Sequence, residues 1–169
     1  MALSWRLPEI TEYQRQTPGI RTGGSRRVPS GLEGGRPMVS IVTVVRNARA
    51  ELAKTMESVL GQNYPHIEFI VIDGGSTDGS VAALEQHDDK LCFWSSSPDS
   101  GIADAMNMGV ARAHGEIVTF LNAGDYYVDD STVAYVADWF AREQWWWAFG
   151  LARLLFEFRE TNFKQRYRP

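Results

Sequence analysis

Four short polar clusters, each directly following an apolar run or opening a helical one, are the places where this sequence could do chemistry. The first is Arg46-Asn47, after the run 39–45; a guanidinium and an amide at a strand's carboxyl end can meet a base or ribose, or simply make a turn. The second is Asp73, which closes Ile70-Val71-Ile72 and precedes Gly74-Gly75-Ser76-Thr77-Asp78-Gly79. A carboxylate there can accept a hydrogen bond from a base N–H or a ribose hydroxyl, and the glycines let a ligand approach the backbone. The structural alternative is that Asp73 satisfies loop amides; Asp78 is expected to cap the helix that follows. Glycines at 74, 75 and 79 do not spell G-x-G-x-x-G and follow the second apolar run rather than the first, so no dinucleotide fingerprint is present.

The third cluster lies in 99–109, where Asp104 and Asn107 are three residues apart and share one face near a helix start. Backbone N–H groups and the helix dipole favour anions there, so both residues could face a nucleotide; equally, Asp104 could complement the dipole and Asn107 bond a neighbouring loop. The fourth is Asn122-Ala123-Gly124-Asp125. An oxygen-rich turn suits Mg²⁺ or Mn²⁺, which takes one or two carboxylates and completes its shell with water and phosphate; a plain turn would look the same.

The elements that must position these clusters alternate. Residues 39–45 are a β-branched run suited to a buried parallel strand, and Leu52, Met56, Val59 and Leu60 recur at helical spacing. Strands are predicted at 67–72, 91–94 and 117–121, and helices at 81–86, 102–113 and 131–142, the last capped by Asp130 or Ser131. The beat βαβαβαβ predicts an α/β fold: a mostly parallel sheet with helices on both faces, right-handed crossovers, and ligands at the carboxyl ends of the strands.

Three regions follow from the pattern: an arginine- and glycine-rich extension at 1–37 that reads as a flexible tether, an α/β domain at 38–142, and an aromatic and basic segment at 143–169 containing Trp145-Trp146-Trp147. At 169 residues with 44% hydrophobic content the chain can build a real core. A formal charge of −4 and a pI near 5.4 argue against a nucleic-acid partner. A single cysteine, Cys92, excludes an internal disulfide and, between Leu91 and Phe93, reads as a small buried hydrophobe. No run approaches the roughly 20 apolar residues of a membrane span, and no signal peptide opens the chain. The expectation is a cytoplasmic protein, with peripheral association at the inner membrane face left open.

In order and spacing, Val39 to Asn47, Ser58-Val59-Leu60-Gly61-Gln62-Asn63-Tyr64-Pro65, Ile72 to Gly79, Gly101 to Gly109, and Gly115 to Asp125 resemble family 2 glycosyltransferases of the GT-A fold, especially those building bacterial cell-surface polysaccharide. The resemblance implies an inverting transfer from a nucleotide sugar, usually a UDP-sugar, to a glycan or lipid-linked acceptor. It places Val44, Arg46, Asn47, Asp73, Gly75, Asp104, Asn107 and Asn122 around the nucleotide, and Asp125 on a Mg²⁺ or Mn²⁺ ion that bridges the diphosphate.

The chain departs from that pattern in specific places. Arg46 stands where many members have tyrosine, Gly74 replaces the second acid of the common Asp-Asp pair, and Gly124 replaces a metal-binding aspartate. No segment after Asp125 matches the family's base motif, so no catalytic residue is assigned; Asp129, Asp130, Asp138, Glu143, Glu157 and Glu160 are the acids available there. The chain is therefore expected to be a fragment, a member completed by a partner, or a non-catalytic nucleotide-sugar-binding module. A sugar nucleotidyltransferase is disfavoured because Arg46-Asn47, not a glycine-rich phosphate loop, follows the first strand.

Overall fold

The computed structural model describes residues 19–25 and 35–143; Trp145 to Trp147, the rest of 144–169, and most of the 1–37 extension lie outside them. Within the described residues the elements are β1 (Arg21–Gly23), β2 (Val39–Val45), α1 (Arg49–Leu60), β3 (Ile67–Asp73), α2 (Ser80–Gln86), β4 (Phe93–Ser96), α3 (Ile102–Val110), β5 (Ile117–Phe120) and α4 (Thr132–Glu143). They form one five-stranded sheet in the order β1-β4-β3-β2-β5. The four strands from β2 to β5 are mutually parallel, and only β1 runs antiparallel, against β4.

Strand alternation divides the interior in two. Val39, Ile41, Val45, Phe69 and Val71 pack with Leu52, Met56 and Val59 of α1, Val81 and Leu84 of α2, and Val133 and Ala137 of α4. Val42, Val44, Ile70 and Ile72 point the other way, onto Ala105 of α3. Helices thus cover both faces, as the buried, near-continuous apolar runs of β2 and β3 require. On the α3 face the approach is close: a Cβ at Gly109 would lie 2.2 Å from Val42 Cγ1.

Polar bonds fix the frame. Gln62 accepts from the Val133 amide through Oε1 (3.0 Å) and donates through Nε2 to the Asp129 carbonyl (2.7 Å), joining the end of α1 to the start of α4. Tyr64 Oη donates to the Pro37 carbonyl (2.5 Å). At the amino ends of the strands, buried Glu68 accepts from Ser40 Oγ (2.6 Å) and the His114 amide (2.8 Å) and is held by His114 Nδ1 (2.7 Å).

Several boundaries differ from those predicted. The third predicted strand, 91–94, slides to Phe93–Ser96, because the register that pairs Ser96 with Asp73 favours its serines over Leu91 and Cys92. α3 stops at Val110 rather than 113, its last turn tightening into bonds from the Arg112 amide to the Gly109 carbonyl and from the Ala113 amide to the Val110 carbonyl. Ser131, one of the two cap positions expected, directly precedes α4 and its carbonyl takes the first helical bond, from the Tyr135 amide (2.9 Å); Asp129 orders that turn by accepting from the Ser131 amide (3.0 Å) and from the Ser131 and Thr132 hydroxyls, while the side-chain acceptor for a helix amide is Gln62, at Val133. β1 lies inside the stretch read as a tether: Asp88 accepts from the Gly24 amide (2.6 Å) and Trp94 Nε1 (2.7 Å), and Arg21 pairs with Glu85. Cys92 is half-buried, and burial pushes its thiol pKa up, in keeping with an unreactive role. No helix among the described residues is long and apolar enough to cross a membrane.

Candidate functional site

The chain runs outward through β2, β3 and β4, then returns across the sheet to place β5 on the other side of β2. Between β2 and β5 the winding direction reverses, and open α/β sheets bind ligands outside the carboxyl ends of the strands at such a point. The register aligns those ends: Val45, Asp73 and Ser96 lie in one row. Beyond β5 the ladder continues irregularly, with the Leu121 amide bonded to the Val42 carbonyl (3.0 Å) and the Ala123 amide to the Val44 carbonyl (3.2 Å). All four sequence clusters thereby meet one edge of the sheet or open the helix beside it.

Asp73 is 1% exposed and does two things at once. Its Oδ2 accepts from the amides of Gly75 (3.1 Å) and Ser76 (2.8 Å) and from Ser96 Oγ (2.6 Å), which is the loop-satisfying role. Its Oδ1 is buried with no hydrogen-bond partner. Among the described residues only two other buried side-chain atoms are in that condition, Ser97 Oγ and Asn122 Oδ1. Asp73 ends β3, Ser97 follows β4 and Asn122 follows β5, all at the carboxyl edge of the sheet. Buried polar atoms are normally paired, so three orphans on one rim point to a polar ligand.

The remaining residues divide into those that shape the rim and those that face outward. Asn47, at φ 49°, receives the Thr77 amide on Oδ1 (2.8 Å) and donates its own amide to Ser76 Oγ (2.7 Å), stitching the first loop to the second. Asp78 ties two helix starts, accepting from the amides of Arg49 (2.9 Å) and Ser80 (3.0 Å) and from Ser80 Oγ (2.6 Å); the Ser80 hydroxyl is the largest cause holding its pKa below the usual carboxylate range. Val44 is a core residue of the α3 face. Asp104 accepts from the Ser100 amide (3.0 Å) at the opening of α3, and Asn107 lies exposed one turn on. Arg46 is exposed, with its Cδ and the Asp99 carboxylate beside Gly74; a Cβ at Gly74 would stand 3.3 Å from the first and 2.7 Å from the second. Gly75, at φ 78°, lies against Pro98.

The fourth cluster is pinned by Thr55, a fully buried hydroxyl on α1 that sequence reasoning passed over. Thr55 Oγ1 accepts from the Gly124 amide (3.0 Å) and donates to the Asp125 carbonyl (2.8 Å). A hydroxyl on the apolar face of a helix needs a partner, and that was the signal available in the sequence. Gly124 has φ 104°, a conformation side chains rarely adopt, so this turn as built favours glycine over the aspartate common at that place. Asp125 is exposed, and no three His, Cys, Asp or Glu side chains among the described residues gather into a metal cage. One carboxylate with the orphaned Asn122 Oδ1 fits a hard cation that brings phosphate and water oxygens with it. Ser97 was likewise missed, since nothing in its sequence setting separates it from the serines before it.

Comparison with known proteins agrees with this geometry. The model for "Glycosyl transferase family 2" matches residues 40–144, more than half of the chain. An uncharacterized glycosyltransferase of Mycobacterium tuberculosis is 38% identical over 123 residues, covering 70% of this chain and 47% of its own length. Among solved structures, the mannosyltransferase PcManGT of Pyrobaculum calidifontis, in complex with GDP-Man and Mn²⁺, superposes with a TM-score of 0.56 at 27% identity over 64% of this chain and 33% of that one. TarS of S. aureus, solved with UDP-GlcNAc, is alike in fold (TM-score 0.55, 23% identity, 61% of this chain and 31% of that one). The chain thus spans about half the length of that mycobacterial relative. A mostly parallel sheet with unpaired polar atoms at its switch point, matched over residues 40–144 by one family model, makes this chain a member of glycosyl transferase family 2 with the GT-A fold.

Proposed function

We propose that the chain binds a nucleotide sugar, a UDP-sugar first, at the carboxyl edge of β2, β3 and β5, and serves its transfer with inversion to a glycan or lipid-linked acceptor. The observation that carries this is the buried, unpaired Oδ1 of Asp73, flanked along the rim by the orphaned atoms of Ser97 and Asn122. A carboxylate oxygen can only accept, so its missing partner is a ligand N–H or O–H, as a nucleobase or ribose supplies. Loop bonds through Oδ2 fix the carboxylate before any ligand arrives, which lowers the ordering cost of binding.

Asp125 and Asn122 would hold a divalent cation, Mg²⁺ or Mn²⁺, together with donor phosphates and water, and the cation would supply charge neutralisation to the leaving diphosphate. The Pyrobaculum relative, solved with GDP-Man and Mn²⁺, supports both a nucleotide-sugar donor and a divalent ion. Thr55 orients the turn that carries Asp125. A cytoplasmic location with peripheral attachment at the inner membrane face belongs to the same proposal.

The test is titration of UDP with and without Mn²⁺ into wild type, Asp73→Asn and Asp125→Ala. Wild type is expected to bind UDP more tightly with Mn²⁺, Asp73→Asn to weaken binding under both conditions, and Asp125→Ala to remove the Mn²⁺ dependence alone. Absence of UDP binding in every case would refute the proposal.

A second reading, a non-catalytic nucleotide-sugar-binding module, is favoured by one observation: two of the four described acids after Asp125 are used in structure, Asp129 ordering the turn before α4 and Asp138 pairing with Arg36 (3.7 Å). It expects UDP binding without sugar transfer or donor hydrolysis. Turnover of a UDP-sugar would dispose of it.

A further inference from the structure

We propose that Gly24 and Asp88 are positioning residues for the donor site: they seat β1 on β4, and the seated strand holds Ser96 in place to fix Asp73. This rests on the donor-binding proposal above. β1 lies outside residues 40–144 matched by the family model, and none of its residues belongs to either hydrophobic core. Its seat is nonetheless tightly specified. Asp88 Oδ1, just after α2, accepts from the Gly24 amide (2.6 Å) and from the indole of Trp94 (2.7 Å), a β4 residue that is 3% exposed. The Ser25 amide and hydroxyl both donate to the Leu91 carbonyl (2.8 and 3.0 Å). A Cβ at Gly24, which has φ 107°, would stand 2.7 Å from the Cys92 carbonyl oxygen and 2.8 Å from Phe93 Cα. Backbone meets backbone there, so the seat takes glycine alone.

The register carries that seat to the rim. Arg21 pairs with Ser96, the last residue of β4, whose Oγ donates to Asp73 Oδ2 (2.6 Å). β4 is four residues long, and β3 is its only other neighbour in the sheet. Without β1 it would be the edge strand, and the ends of short edge strands open first. Opening at Ser96 removes one of the three donors that aim the Asp73 carboxylate. The other two, the Gly75 and Ser76 amides, belong to a loop that lies against Pro98, two residues after Ser96. Seating of β1 and binding at Asp73 Oδ1 therefore favour each other, and a coupling of this kind acts equally in both directions.

The experiment is calorimetric titration of UDP with Mn²⁺ into the full chain and its Gly24→Ala, Asp88→Ala and Asp88→Asn variants, with thermal melts and amide hydrogen exchange over residues 21–25, with and without UDP. Gly24→Ala and Asp88→Ala are expected to speed exchange over 21–25 and to weaken UDP roughly 5-fold or more while the proteins stay folded. Asp88→Asn keeps an acceptor oxygen for the Gly24 amide and the Trp94 indole, so it should restore both exchange protection and affinity. In wild type, saturating UDP should slow exchange over 21–25 by the factor that Gly24→Ala costs in affinity. That measurement needs no variant, so it decides even where a substitution prevents folding. β1 released with UDP affinity unchanged overturns the proposal, because β1 would then only cover the sheet edge. So does wild-type exchange over 21–25 that ignores bound UDP. Wild type that binds no UDP defeats the donor-binding proposal and this one with it, whereas UDP binding indifferent to β1 defeats this one alone.

Discussion

Replacing Gly109 with alanine tests how firmly α3, which opens beside the rim, is pressed onto the sheet. The new Cβ would sit 2.2 Å from Val42 Cγ1, well inside any real contact, and a tight 3.3 Å from Val42 Cβ and Cγ2. Val42 cannot give way easily: it is fully buried, β-branched and stiff at χ1, and β2 is flanked by β3 and β5. Helix propensity alone favours alanine over glycine by about 1 kcal/mol. Overpacking costs about 1–3 kcal/mol, and a clash this short belongs at the upper end or beyond, so net destabilisation of about 1–2 kcal/mol is expected. For a chain of 169 residues that lowers the melting temperature by about 2–8 °C. Val42→Ala alone should cost about 2 kcal/mol through the cavity it leaves. In that background Gly109→Ala should turn neutral or stabilising, because its methyl enters the vacated space; the cycle isolates the contact. Denaturant unfolding of the four proteins is the assay. If Gly109→Ala stabilises equally with Val42 and with Ala at 42, the helix does not rest on β2 there, and the placement of the rim segment before α3 loses its support.

Three further expectations follow from the packing. Thr55→Val leaves the Gly124 amide without its acceptor and should cost about 1–3 kcal/mol by chemical denaturation while also blunting Mn²⁺-dependent UDP binding; unchanged stability would refute the pinning role. Glu68→Gln halves the acceptor capacity that serves Ser40 and His114 and should destabilise by about 1–3 kcal/mol without altering UDP affinity at fixed folded protein. Asp78, whose pKa is depressed chiefly by the Ser80 hydroxyl, binds its proton more weakly folded than unfolded; its stabilisation is present above the ordinary aspartate pKa of about 4 and fades as pH falls through the lower folded value, so Asp78→Asn should flatten the acid limb of a stability–pH curve.

How much of this was legible depends on how local each cause is. β2 and β3 are buried on both faces, so their apolar runs announce them and the alternation of helices fixes the parallel sheet. Arg21-Thr22-Gly23 carries no such mark. It is a strand because Asp88, Glu85 and Trp94, more than sixty residues away, bind it, and no window of sequence contains that fact. The same holds at the start of α4, where the Val133 amide finds its acceptor in Gln62, 71 residues earlier in the chain.

Asp73 shows where sequence reasoning reaches its limit at the site. Its placement after a buried strand offered two roles, satisfying loop amides or meeting a ligand, and the residue type is compatible with both. The structure assigns the two oxygens separately, Oδ2 to the loop and Oδ1 to nothing within the described residues. The two roles therefore reinforce each other: the bonds through one oxygen hold the other in a fixed direction, buried and unpaired. Leaving an acceptor unpaired costs about 1–3 kcal/mol in the ligand-free protein. That cost is recovered by a ligand that brings the missing donor, and a ligand with a lone pair at the same place meets it in full. Stability withheld at Asp73, Ser97 and Asn122 is in this sense a selectivity built into the rim, and substitutions that relieve it should make the chain more stable and less discriminating together.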